Sequence, residues 1–302
     1  MPHLRLAPDR PLDLRLTLGP LRHGLWDPTA RLGAAELWRA SRTPEGPATL
    51  HLRWDGRTVE ASTWGPGAGW ELAHLPQLLG ETDRPEDLVP RHGIVAELVR
   101  RHPGLRLTRT DRVVEGVVPA VIEQKVTGLE AHRAWSALVR RFGAPAPPSD
   151  RGDAPVRLPP EPSVLAALPY HAFHPLGLER RRAEVLRTVG RAANALEATR
   201  ELDGDAAQAR LTALPGIGPW TAAEALRVAR GDPDAVSLGD YHLPRLVGWL
   251  LAGERHADDA RMLELLEPYR GQRARVVALL EHAGWQPPRR APRLAPRAIA
   301  GL

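Results

Sequence analysis

The spacing of apolar residues changes near residue 86, and this change limits the possible folds more than any single motif does. Before it, apolar and polar residues alternate. "PLDLRLTL" sets Leu12, Leu14, Leu16 and Leu18 between Asp13, Arg15 and Thr17, the two-residue period of a half-buried strand. "ATLHLRWDGRTVEASTW" alternates on both sides of Asp55-Gly56. An Asp-Gly pair between alternating runs predicts a hairpin whose two turn positions take positive φ. "ELWRASR" supplies a partner strand, and "GWELAHLPQLLG" reads as a short helix ended by Gly80. Residues 1–85 are therefore expected to form an α+β domain with an antiparallel sheet.

From residue 86 the spacing is helical. "LVPRHGIVAELVRRHPG" predicts a helix stopped at Pro103-Gly104, and "VVEGVVPAVIEQKVTGLEAHRAWSALVRRFG" predicts two helices broken near Thr127-Gly128. Residues 144–162 carry seven prolines and read as a loop. Helical patterns resume in "SVLAALPYHAF", "LERRRAEVLRTVGRAANALEA" and "DARMLELLEPYRGQRARVVALLEHAG". The second domain is expected over 86–288, followed by a basic, Pro-rich tail over 289–302. No short tandem repeat is present.

Composition removes several classes of function. The chain has no cysteine, which excludes disulfides, thiolate zinc sites and cysteine-ligated iron–sulfur clusters. His171 and His174 are three residues apart, but neither Glu161 nor Glu179 stands at ligand spacing, so the pair reads as structural or surface. No apolar run approaches the length of a membrane span, and the N-terminus lacks the apolar stretch of a signal peptide. A cytoplasmic protein is the expectation. The net charge of +5 suits a polyanionic partner such as nucleic acid. The basic residues are nearly all arginine, and Lys125 is the only lysine.

The most informative stretch is "LTALPGIGPWTAAEALRVARGDPDAVSLGDYHLPRL". It reads as helix, tight turn, helix. Gly216 and Gly218 can take backbone angles closed to other residues and let another backbone approach. Pro219 suits the first turn of the second helix. The amides at that helix start are suited to a phosphate. The same letters also fit an ordinary helical hairpin, and a lone aspartate before a helix, as at Asp240, also fits an N-cap.

"LPGIGPWTA" followed by "SLGDYHLPRL" resembles the hairpin and catalytic-aspartate signature of the helix-hairpin-helix DNA glycosylases. "AVIEQKVTGLEA" resembles the family's lesion-facing helix and turn, and "PLGLERRRAEVL" one of its helix starts. "EHAGWQP" resembles the end of the last helix in the alkylated-base branch, DNA-3-methyladenine glycosylase II. The resemblance implies an α+β N-terminal domain followed by an all-α helix-hairpin-helix glycosylase domain. It also implies release of alkylated purines flipped out of duplex DNA, leaving an abasic site. Asp240 is then the catalytic carboxylate, and Trp220 and Tyr241 are base-pocket walls. Leu214, Gly216, Ile217, Gly218 and Thr221 are the DNA-binding hairpin, and Gln124 and Lys125 form the wedge that fills the vacated stack. Arg109, Arg112, Arg180, Arg181 and Arg182 are further candidates for phosphate contact.

Strand-cutting relatives carry a Schiff-base lysine where this chain has Trp220, so a monofunctional enzyme is implied. The resemblance brings no cofactor beyond, at most, a monovalent cation at the hairpin. It implies damaged duplex DNA as partner and a monomer. Two departures stand out: Gly239 precedes Asp240 where relatives often have a second acid, and Pro219 stands where they often have a base. The alternatives are a non-catalytic hairpin DNA-binding protein and a glycosylase for another damaged base.

Overall fold

The computed structural model describes residues 2–150 and 152–284. The tail over 289–302 and the Trp285–Pro287 end of the last motif lie outside the described residues. Five antiparallel strands, β1 (His3–Leu6), β2 (Ala30–Leu32), β3 (Glu36–Thr43), β4 (Gly46–Trp54) and β5 (Val59–Trp64), form a sheet in the order β1-β5-β4-β3-β2. The Asp-Gly hairpin joins β4 to β5, with Trp54 paired to Val59. Its loop has four residues rather than two, and only Gly56 has positive φ, at +94°. Asp55 Oδ1 closes the turn by accepting from the amides of Arg57 at 2.8 Å and Thr58 at 2.7 Å. The aspartate acts through its side chain, so its own backbone stays in the ordinary region.

"PLDLRLTL" is not a strand. It forms helix α1 (Leu14–Leu18), capped by Asp13, whose Oδ1 accepts from the amides of Arg15 and Leu16. The alternation misled because α1 has apolar surroundings on two sides. Leu14 and Leu18 pack with Leu37, Leu50, Leu52 and Val59 under the sheet, whereas Leu16 packs in a separate cluster with Val95 and Leu98. The expected helix before Gly80 is present as two pieces, α2 (Ala68–Ala73) and α3 (Leu75–Leu78), and Gly80 ends the second with φ +68°.

The helical part continues with α4 (Gly93–Arg101), α5 (Val113–Ile122) and α6 (Gly128–Phe142). Thr127 starts α6 through a capping box with Glu130, which explains the break before Gly128. The Pro-rich loop carries one short pairing, β6 (Ala144–Pro145) with β7 (Arg157–Leu158). Then follow α7 (Pro162–Ala167), α8 (Tyr170–Phe173), α9 (Arg180–Arg191), α10 (Ala193–Glu197), α11 (Gly204–Thr212) and α12 (Pro219–Ala229). The described chain ends with α13 (Leu243–Ala252), α14 (Asp259–Leu266) and α15 (Arg273–Glu281). The chain is therefore an α+β front followed by a helical part. Helices α5, α6, α9 and α12 share one apolar core, while α4 packs with α13, α14 and α15 in a second. Among the described residues no helix is long and apolar enough to cross a membrane.

A buried ion network ties the sheet to the helices. Arg39 of β3 donates to Glu71 of α2 at 2.8 Å and pairs with Glu115 of α5, and Ser41 also donates to Glu71. Burial pushes the Glu115 carboxyl up, but the guanidinium groups of Arg39 and Arg112 outweigh it and hold it below the usual carboxylate range. Removing only Arg39 leaves Glu71 with Ser41 alone and Glu115 with the more distant Arg112, in a low-dielectric site. Arg39→Met should therefore lower the unfolding free energy by about 3–5 kcal/mol in urea titrations, whereas Arg39→Met combined with Glu71→Gln and Glu115→Gln should recover most of that loss.

Candidate functional site

The hairpin joins α11 to α12, and its two glycines do different work. Gly216 has φ +89°, and a Cβ there would collide with Val185 of α9, so only glycine fits. Gly218 has φ −93° and open space where a Cβ would stand. The expectation that both glycines are needed for their backbone angles therefore holds only for Gly216. Gly218 is the N-cap of α12, no side chain caps that end, and Pro219 follows at the first helical position. The first-turn amides are left without a capping partner, which suits an anion. Ile217 is buried and Leu214 packs against the same core, so their side chains anchor the turn. Thr221 is buried too; its backbone rather than its hydroxyl belongs to the amide set.

Gln124 reaches this hairpin from the turn between α5 and α6. Its Nε2 donates to Gly216 O and to Thr221 Oγ1, each at 2.9 Å. The amide thus latches one loop to the other. Lys125 beside it is exposed and left-handed, with φ +55°. A non-glycine residue holds that conformation at a cost of about 1–2 kcal/mol, and the Gln124 latch and the Thr127 capping box fix it from both sides.

Asp240 follows Gly239, which has φ +86° and donates its amide to Asp259 Oδ2 at 2.9 Å. A second acid at residue 239 would have to adopt that left-handed backbone, which accounts for the glycine there. Asp240 Oδ1 accepts from the amides of His242 at 2.7 Å and Leu243 at 2.9 Å, so it closes the turn that leads into α13. Its Oδ2 accepts from the indole Nε1 of Trp220 at 2.9 Å. Three donors thus fix the carboxylate beside the start of α12. Tyr241 is 74% exposed and sets its ring edge-on to His242.

This arrangement can be set against known proteins. No protein-family model matches the chain. It is 30% identical over 201 residues to DNA-3-methyladenine glycosylase 2 of Escherichia coli, an alignment covering 65% of this chain and 67% of that protein. The chain belongs to the DNA-3-methyladenine glycosylase II family. It is also 32% identical over 175 residues, 57% of its length, to a probable bifunctional transcriptional activator/DNA repair enzyme AlkA of Mycobacterium tuberculosis, but spans only 34% of that longer protein. The fold is that of a 3-methyladenine DNA-glycosylase from Archaeoglobus fulgidus, with a TM-score of 0.75, 20% identity and coverage of 93% of this chain and 98% of the other.

Against the glycosylase II pattern, not every arginine expected near phosphates is free. Arg112 and Arg182 are buried, and Arg182 donates to Ile122 O at 2.7 Å and Gly177 O at 3.1 Å, holding the C-terminal end of α5. Arg109 pairs with Asp111 at 2.6 Å. Arg180 lies 4.7 Å from the Tyr170 ring centre and Arg181 is exposed, so these two remain as surface cations. The sequence reading missed Glu224, Arg227, Ser237 and Glu281, which line a small cleft together with Leu243, whose amide binds Asp240. Glu224 stands four residues after Trp220 on the same helix face, a spacing that could have pointed to it. Among the described residues no group of three or more His, Asp or Glu stands together as a metal site.

The glycine pair gives a clean separation. Gly216→Ala should destabilise the protein by about 2–4 kcal/mol from the left-handed backbone and the clash with Val185, read as a loss of thermal midpoint. Gly218→Ala should melt with the wild type yet bind duplex DNA more weakly in a fluorescence-anisotropy titration, because its methyl group would fill the open space beside the uncapped α12 amides.

Proposed function

We propose that the protein is a monofunctional DNA glycosylase that hydrolyses the N-glycosidic bond of alkylated purines in duplex DNA. The observation that carries this reading is the Asp240 carboxylate, fixed by the Trp220 indole at the start of the hairpin's second helix. The amides of Gly218 and its successors anchor one phosphate, and the latch through Gln124 brings the Lys125 turn to the same face. There Lys125, with Gln124 as its support, fills the gap left by the flipped nucleotide. A ring-alkylated purine is cationic and needs little acid catalysis to leave. The barrier lies in positive charge growing on the sugar, where a fixed carboxylate is most effective. The same carboxylate is the group nearest to hand for the proton of the attacking water. Trp220 holds the position at which a Schiff-base lysine would cut the strand, so the product is an intact strand with an abasic site.

The relatives support the substrate class: one is named for 3-methyladenine and another as a DNA repair enzyme. The reading needs no redox cofactor. A monovalent cation at the hairpin remains compatible with it, because a backbone carbonyl that accepts one hydrogen bond keeps a second lone pair. The protein acts on damaged duplex DNA as a monomer in the cytoplasm.

The test uses duplexes carrying 3-methyladenine, 7-methylguanine, ethenoadenine or 8-oxoguanine, with abasic sites revealed by alkali. Wild type should release an alkylated base, and Asp240→Asn should slow release by roughly 100-fold or more while duplex binding persists. Equal inertness of both proteins with intact binding would identify a binding protein, and strand breaks without alkali would refute the monofunctional reading.

A further inference from the structure

A cavity of about 20 Å³ lies between α12, the segment before Asp240, the start of α13 and α15; Asp240 itself is not part of its wall. Its polar lining is Glu224, Arg227, Ser237 and Glu281; the rest is alanine, valine and leucine, and none of the described lining residues is aromatic. Glu224 follows Trp220 by one helical turn, and the amide of Leu243, another lining residue, binds Asp240 Oδ1. The enclosed space fits about one water, so a flipped purine would present its edge to the mouth of the cleft rather than sink into it.

The wall is built, not incidental. Glu224 accepts from buried Ser237 through Oε1 and from Arg227 through Oε2, the latter at 2.8 Å, so both oxygens are fixed. Glu281 stands at the rim. Its surface is exposed, yet protein surrounds it closely enough that desolvation, then the charges of Glu224 and Asp240, raise its carboxyl above the ordinary range against the pull of Arg227. Two lining acids, Glu224 and Glu281, thus share one guanidinium, Arg227, and Glu281 also feels the charge of Asp240. Among the described residues that line the cleft, acids outnumber bases by two to one.

We propose that Glu224 and Glu281, set by Ser237 and Arg227, are specificity residues that read the charge of the flipped base and select purines made cationic by ring-nitrogen alkylation. This rests on the glycosylase activity proposed above and assigns its selectivity to a second pair of carboxylates. The two sets act at different stages. When the bond from C1′ to the base nitrogen breaks, its electron pair returns to the ring and neutralises it. The water oxygen then bonds to C1′, and the proton it sheds goes to Asp240 or solvent. Positive charge therefore moves from base to sugar. Carboxylates at the base favour the captured substrate more than the transition state, whereas Asp240 favours the transition state. Glu224 and Glu281 govern how tightly the base is held, and Asp240 governs how fast it leaves.

The test compares wild type, Glu281→Gln and Ser237→Ala, the last freeing Glu224 without removing a charge. Single-turnover excision is followed on duplexes carrying cationic 7-methylguanine or neutral hypoxanthine. Direct binding is measured to duplexes with cleavage-resistant 2′-fluoro-7-methylguanosine or 2′-fluoroguanosine. For Glu281→Gln the half-saturating enzyme concentration on 7-methylguanine should rise about tenfold, the loss of one charge-assisted contact, with the maximal rate unchanged or raised. Hypoxanthine release should be unaffected, and binding preference for the cationic duplex should fall by the same factor. Ser237→Ala should give a smaller shift in the same direction. An equal effect on both bases, or a fall confined to the maximal rate, would overturn the proposal. Failure of the wild type to release any base would instead overturn the glycosylase reading, and the binding preference would still report on Glu281.

Discussion

The site depends on one close crossing, where α5 meets α12 with no side chain between their backbones. A Cβ at Gly116 would stand 2.8 Å from Ala225 O and 3.1 Å from its Cα. A side chain at residue 116 would meet the α12 backbone, so the two helices cross closely there. This contact sets the geometry at both ends. At the C-terminal end of α5 it brings Gln124 within hydrogen-bond reach of Gly216 and Thr221. Near the other end of α12, the amides of Thr110 and Asp111 donate to Val228 O and Ala229 O, so the chain entering α5 is tied to the same helix. The hairpin and the neighbouring turn are thereby joined to α12 and α5 in one connected unit.

Polar groups fix the orientation of α5 within that unit. Glu197 of α10 accepts from the amides of Val113 and Val114, each at 3.0 Å, and so satisfies the helix start. Arg182 of α9 donates to Ile122 O at the far end. The Arg39 network then pins Glu115, on the first turn, to the sheet. These contacts are buried and charge-assisted, and each would be costly to leave half made. Their effect on the site is indirect: they prevent α5 from rotating, and rotation is what would carry Gln124 off the hairpin.

The parts most legible in the sequence were those whose causes are local. The break at Thr127 follows from its capping box with Glu130, and the β4–β5 hairpin from Asp55-Gly56. Even there, the turn's length was not written in the Asp-Gly pair. "PLDLRLTL" was misread because a helix packed between two apolar clusters can show the alternation of a strand. Asp240 and Trp220 were legible through their motif, and the structure adds the hydrogen bond that joins them. The arginines were the least legible group. With so many in the chain, nothing in the sequence separates Arg182, buried against Ile122 O, from exposed Arg181 beside it. Glu281 was invisible for a different reason: α15 meets α12 only in three dimensions, across nearly sixty residues of chain.

Trp220 connects these levels. As a large side chain in the first turn of α12 it could have served packing alone, yet its indole donates to Asp240 across 20 residues of sequence. The hydrogen bond links the helix end suited to a phosphate to the carboxylate suited to the sugar. A phosphate and the C1′ of a flipped nucleotide lie at a nearly fixed separation along the backbone, so two sites held at a fixed distance can act as a gauge for that nucleotide. A lysine at residue 220 could pair with Asp240 as well, but its four-carbon stem would leave the carboxylate loosely placed and put an amine within reach of the sugar. The planar indole, with a single donor, orients the acid and offers no nucleophile. On the proposed function, precision of placement and an uncut strand thus follow from the same side chain.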